Sequence, residues 1–216
     1  MQFKKITIIT GEYGSGKTNL AVNLAYAMKE HGTTAIVDID TVNPYFRTAD
    51  FRDELTENGI DVITPDFANS NLDLPVLNFD IERIIRSHDH TVIDVGGSDA
   101  GAFALGRYQH VIEKYAGDYD LLYVYNMYRT TEVSAEETVT LLHEIEMACR
   151  MKVTGLVSNP NLGAETTAAI VENASGFSDD IQKLTGLPVK FRCIPENLVP
   201  SEGDFTVKRK VKLIWE

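Results

Sequence analysis

The 216-residue chain carries 32 acidic against 20 basic residues, a formal net charge of −12 at pH 7. That surplus argues against a surface built to neutralise a nucleic-acid backbone, since non-specific duplex binding rests on Lys and Arg displacing counterions, and it leaves no strong case for nucleic acid as a partner. The length suits one domain over residues 1–216, Cys149 and Cys193 lack the C-x-x-C spacing of a zinc or iron–sulfur site, and no leader or membrane-length apolar run is present, which predicts a cytoplasmic protein.

In chain order, "KKITIIT" reads as a buried strand, followed by "GEYGSGKT" and a helix whose Leu20, Leu24 and Met28 share one face. "TTAIVDID" is the next strand. Residues 41–80 are rich in Asn, Asp and Pro, and they read as two long loops around a weak strand, "GIDVIT". "HTVIDVGG" is a strand, and Leu105, Tyr108, Ile112 and Tyr115 then line one helical face. "DLLYVYN" follows, and Ser134 with Glu137 makes a capping box for the helix of Leu142, Ile145 and Cys149. After the strand "KVTGLVSN" comes one long helix carrying Ile170, Val171, Ala174, Phe177, Ile181 and Leu184, with Gly176 inside it and Gly186-Leu187-Pro188 as its stop. "PVKFRCI" is a further strand. The tail "VKRKVKLIWE" alternates as a last edge strand, while its basic charge and Trp215 leave membrane contact as a second use. Strands alternating with helices predict an α/β fold, a doubly wound, mainly parallel sheet with helices on both faces.

The chemistry concentrates at strand ends. Gly11-x-x-x-x-Gly16-Lys17-Thr18, set between a strand and a helix, is a phosphate loop: glycines let backbone N–H groups turn around anionic oxygens, Lys17 reaches the phosphates and Thr18 ligates Mg²⁺. Asp38 and Asp40 lie two apart and so share one face of their strand. Asp94 ends another strand and precedes Gly96 and Gly97, the arrangement of an acid that holds a metal-bound water beside N–H groups able to approach a γ-phosphate. His88 and His90 flank a single carboxylate and read as a polar loop rather than a metal site.

"GEYGSGKT", "VDIDTVNPYF", "VIDVGG", "LVSNPN" and "CIPEN", in this order and spacing, make the chain similar to the MinD/ParA class of deviant Walker A P-loop ATPases, whose superfamily includes the nucleotide-binding domains of cobyrinate synthases. The resemblance implies ATP or ADP with Mg²⁺ as cofactors. Gly11, Glu12, Tyr13, Gly14, Ser15, Gly16, Lys17, Thr18 and Asn19 would form the phosphate loop. Lys17 and Asp40 would be catalytic, Asp40 orienting the attacking water; Thr18, Asp38, Asp40 and Asp94 would serve the metal, and Gly97 the γ-phosphate. Asn159 would face the adenine edge with Pro195 beside it; the N-K-x-D arrangement that reads guanine is missing from "SNPNLGAE".

The implied function is a switch ATPase, slow on its own, whose nucleotide gates association with an unknown protein partner or a second copy. The alternative is a small-molecule kinase or ligase of the dethiobiotin or cobyrinate synthase kind, and a nucleotide-binding regulator with little turnover is a third. One position departs from the family: where the class carries a signature lysine that crosses to a partner's phosphates, this chain has Glu12, expected to turn outward, with Arg47, Arg107 and Arg129 as candidates for the missing charge.

Overall fold

Runs of Ile and Val that are buried almost without interruption cannot sit on a sheet with one wet face, and here they build a sheet covered on both sides. The computed structural model describes residues 2–40, 48–64, 79–97, 99–129 and 134–210. Eight strands are present among them: β1 (Ile6–Gly11), β2 (Thr34–Asp38), β3 (Ile60–Ile63), β4 (His90–Asp94), β5 (Tyr119–Tyr125), β6 (Gly155–Ser158), β7 (Val189–Pro195) and β8 (Asp204–Val207). Their order is β3-β2-β4-β1-β5-β6-β7-β8, and every neighbouring pair is parallel. The helices are α1 (Lys17–Lys29), α2 (Arg52–Glu57), α3 (Ile81–Ser87), α4 (Asp99–Gly106), α5 (Gln109–Ile112), α6 (Ala135–Cys149), α7 (Ala168–Asn173) and α8 (Ser175–Thr185).

The side-chain alternation of the strands divides the core in two. Ile9, Val92 and Val124 pack with Leu20, Leu24 and Met28 of α1 and Leu55 of α2 on one face. Ile8, Ile93 and Tyr123 pack with Ile85, Leu105, Leu142 and Ile181 of α3, α4, α6 and α8 on the other. β1 lies between β4 and β5, so the chain leaves the middle of the sheet at Gly11 with other strand ends on both sides.

Four sequence expectations change. The helical face through Leu105 and Tyr115 is split into α4, α5 and a 3₁₀ turn at Glu113–Tyr115. The Gly106 carbonyl, which would accept the next intrahelical bond, is held by the Arg150 guanidinium instead. The predicted long helix breaks at Ala174 into α7 and α8, because the Tyr128 hydroxyl donates to the Ile170 carbonyl at 2.7 Å and the Ala174 N–H turns to Glu172. The weak strand "GIDVIT" is β3, yet the region before it holds a 3₁₀ turn (Thr48–Phe51) and α2, anchored by the buried Leu55; residues 41–47 and 65–78 lie outside the described residues.

The last described edge strand is β8, earlier than the tail, and residues 208–210 instead run along α1. The Asn23 amide both donates to the Lys208 carbonyl (2.9 Å) and accepts from the Lys208 N–H (2.8 Å), and Asn19 accepts from the Lys210 N–H (2.8 Å). One helical turn apart, the two Asn side chains stand in for a neighbouring strand. Lys210 also pairs with Glu54 of α2 and lies 4.9 Å over the Tyr26 ring. Residues 211–216, with Trp215, fall outside the described residues, so the edge strand and the membrane contact expected there rest on sequence alone.

Candidate functional site: the phosphate loop

The loop between β1 and α1 takes its shape from glycine. Gly14 (φ +76°) and Gly16 (φ +92°) are left-handed, and a Cβ on Gly11 would come within 2.1 Å of the Val124 carbonyl of β5. Three side chains hold three carbonyls of this loop. Lys17 Nζ donates to Glu12 O at 2.7 Å, Arg129 Nε to Tyr13 O at 2.7 Å, and Asn159 Nδ2 to Ser15 O at 2.6 Å. In a trans peptide the N–H points opposite to the preceding C=O, so the contacts of Arg129 and Asn159 turn the N–H groups of Gly14 and Gly16 away from those two side chains. The first-turn N–H groups of α1, including those of Thr18 and Asn19, add donors at the positive end of the helix. A glycine-shaped turn leading into a helix start is suited to an anion.

Carboxylates stand next to it at the ends of β2 and β4. Lys17 is almost fully buried, and burial brings its ammonium down to about 8 although Asp94, Asp40 and Glu12 pull it back up. Asp94 is pushed up to about 6 by burial, against the opposing pull of Thr18, Lys17 and Thr48. Thr48 Oγ1 donates to Asp94 Oδ2 at 3.0 Å. The other oxygen, Asp94 Oδ1, and the Ser15 hydroxyl are buried and have no partner, an uncommon condition for native polar atoms. A phosphate oxygen and a metal-bound water are partners of the right chemistry.

Asp38 pairs in register with Asp94 and uses one oxygen to cap the Asp40 N–H at 2.9 Å. Asp40 packs against Gly96, where a Cβ would approach its carboxylate to 2.6 Å, and Gly97 sits equally close to Tyr13 and to Lys17 Nζ. Among the described residues no three His, Cys, Asp or Glu side chains form a metal cluster of their own. Thr18 and Asp94 nonetheless fit Mg²⁺, which is commonly held by few protein ligands together with substrate phosphates and water. His88 meets Asp61 (2.8 Å) and the Ile84 carbonyl (2.9 Å), the polar-loop role expected of it.

On the far side of the loop, Asn159 follows β6 and Pro195 ends the adjacent β7, so both stand at carboxyl ends of strands as the ligand-binding side requires. Asn126, at the end of β5, was not singled out by sequence. Its Nδ2 donates to Asn161 O (2.9 Å) and its Oδ1 accepts from Tyr128 N (3.0 Å), which ties the loop after Asn159 to the one bearing Arg129. Thr48 was missed as well. For Asn126 the signal was available: like Asn159, it directly follows an apolar strand.

Of the three arginines, Arg129 reaches the phosphate loop, Arg107 is exposed at the end of α4, and Arg47 lies outside the described residues. Glu12 is half-buried rather than turned fully outward, and its charge acts on Lys17 and on the buried Tyr123 hydroxyl of β5.

Neither a family model nor a curated protein matches the sequence. Solved structures match in fold. FtsY from Mycoplasma mycoides is 17% identical with a TM-score of 0.60, the match covering 89% of this chain and 60% of that one. FtsY from Thermotoga maritima is 20% identical (TM-score 0.56, 90% and 62% covered), and FlhF complexed with GTP and Mg²⁺ is 14% identical (TM-score 0.54, 88% and 66% covered). The chain thus spans less than two thirds of the length of each. The fold is that of an α/β P-loop NTPase; these neighbours are FtsY and FlhF proteins, not MinD/ParA proteins, so the family resemblance holds at the level of the P-loop fold.

Proposed function

We propose that the chain is a nucleotide-binding switch protein that takes a nucleoside triphosphate with Mg²⁺ in the loop of residues 11–19 and hydrolyses it slowly. The observation that carries this reading is the loop itself, a glycine-shaped turn between β1 and α1 with Lys17 at its base and its Tyr13 and Ser15 carbonyls held by Arg129 and Asn159, beside the partnerless buried oxygens of Ser15 and Asp94. In this reading Lys17 and the loop N–H groups bind phosphate, and Thr18 and Asp94, with Asp38 behind them, would hold Mg²⁺. Asp40 orients the attacking water. Bound Mg²⁺ supplies charge neutralisation between phosphate oxygens. Gly96 and Gly97, in contact with Asp40, Tyr13 and Lys17, form the element that a third phosphate would displace, and exposed Tyr13 beside them gives a partner protein or second copy something to read.

ATP is the proposed nucleotide because the N-K-x-D pattern is missing, although FlhF, a neighbour in fold, holds GTP. Asn159 does not decide the matter. One proton of its Nδ2 is committed to Ser15 O, and a remaining donor would suit a purine N7, which adenine and guanine share. Calorimetry with Mg²⁺ tests both levels: Lys17→Ala should remove nucleotide binding while Asp40→Ala keeps it, and GTP should compete poorly against ATP. Equal binding by wild type and Lys17→Ala would overturn the site, and equal affinity for GTP would overturn the choice of ATP alone.

A further inference from the structure

Arg129 meets the phosphate loop at its backbone. It follows β5 in a turn built on Asn126, whose carbonyl accepts the Arg129 N–H at 3.0 Å and whose side chain accepts the Tyr128 N–H at 3.0 Å. From this base the side chain crosses to the phosphate loop. Its Nε donates to Tyr13 O at 2.7 Å, and its guanidinium carbon lies 5.7 Å over the Tyr13 ring, within the range of a cation–π contact. It also fills the space that a side chain on Gly14 would need: Nε would lie 2.2 Å, and Cδ and Cζ 2.9 Å, from a Cβ there. Gly14 is therefore required twice, for its left-handed φ and for the room that Arg129 occupies.

The direction of the contact gives its meaning. The Tyr13 carbonyl points at Arg129, so the Gly14 N–H of the same trans peptide points away from Arg129. We infer that Arg129 is a positioning residue for phosphate binding, acting through the Tyr13–Gly14 peptide: it fixes the Gly14 N–H toward the anion and polarises it by placing a cation on the carbonyl end. Charge-assisted bonds are the stronger ones, and hydrogen bonds in series strengthen each other. Within the loop Glu12 is a carboxylate, so this cation comes to the loop from another part of the same chain. Its field reaches the site, since Arg129 is one of the charges acting on the Lys17 ammonium.

The inference rests on the proposed phosphate site and is separable from it. Affinities of a non-hydrolysable imido nucleoside triphosphate and of inorganic tripolyphosphate would be measured on wild type, Arg129→Ala, Arg129→Gln and Arg129→Lys. Arg129→Ala should weaken both ligands by the same factor, roughly ten- to a hundredfold for a lost bond to a charged group, because the defect lies in phosphate geometry and not in base contact. Lys should recover more than Gln, since both can donate to the carbonyl but only Lys brings charge. The Gly14 amide resonance should move upfield in Arg129→Ala, a change that loss of general stability would not localise there.

Wild-type affinity for tripolyphosphate in all three variants would overturn the inference. So would intact binding with only turnover reduced, which would make Arg129 a group that touches the reacting phosphate. If wild type bound neither ligand, the phosphate site itself would be wrong. Should Arg129→Ala fail to fold, Lys against Gln carries the same comparison.

Discussion

Lys17 is the residue at which burial and function meet most directly. Its ammonium is held near 8 in the free protein because burial outweighs the surrounding carboxylates. Phosphate oxygens favour the charged form, so binding raises this value and takes up a proton wherever the free lysine is neutral. Below about pH 8 the group is already charged and affinity does not depend on it; above that, affinity should fall by up to about tenfold per pH unit until the bound-state value is passed. Calorimetry at about pH 7 and about pH 9, in buffers of different ionisation enthalpy, measures both the slope and the proton uptake. An affinity that rises above pH 8 would mean that Lys17 does not face the phosphates. The residues of this site were legible to different degrees. Lys17, Thr18 and Asp94 follow from local spacing, since a strand, a turn and a helix place them without help. Thr48 does not, because its tie to Asp94 joins residues 46 positions apart and no local pattern records it.

At the scale of elements, the sequence succeeded where an element's ends are written in its own residues. Ser134 and Glu137 form a reciprocal capping box, each side chain bonding the other's N–H at 3.1 Å, and Gly186 closes α8 with φ +69°. Ser134→Ala should cost about 1 kcal/mol, read as a lower urea midpoint with an unchanged denaturant slope. A midpoint equal to that of wild type would show that α6 is fixed by packing and not by its cap. Prediction failed where a distant group takes a helix carbonyl. Arg150 on Gly106 and Tyr128 on Ile170 end helices whose apolar periodicity continues past the break, and periodicity alone has no access to either contact.

At the scale of the whole molecule, an all-parallel sheet with β1 between β4 and β5 gathers the ends of several strands around one loop, and the fold class was legible because the strand and helix periods alternate cleanly. Two copies closing over two triphosphates would set two Glu12 carboxylates near two anions, so the wild type should stay monomeric with ATP and Mg²⁺ and turn over slowly. Glu12→Lys should increase nucleotide-dependent dimerisation, turnover, or both, as read by light scattering and phosphate release. A wild-type dimer that tightens with ATP and ignores the substitution would place Glu12 away from any such interface. The clamp of Asn19 and Asn23 on residues 208–210 has a different consequence, one of order in time. It joins positions 185 and 191 residues apart, and β8, which delivers those residues, is the outermost strand of its side of the sheet. Contacts of such long sequence separation carry a loop-closure cost that local contacts do not. The outer brace of the helix that starts at the phosphate loop is therefore expected to form late, and amide exchange at Lys208 and Lys210 should report the completed molecule before any nucleotide is added.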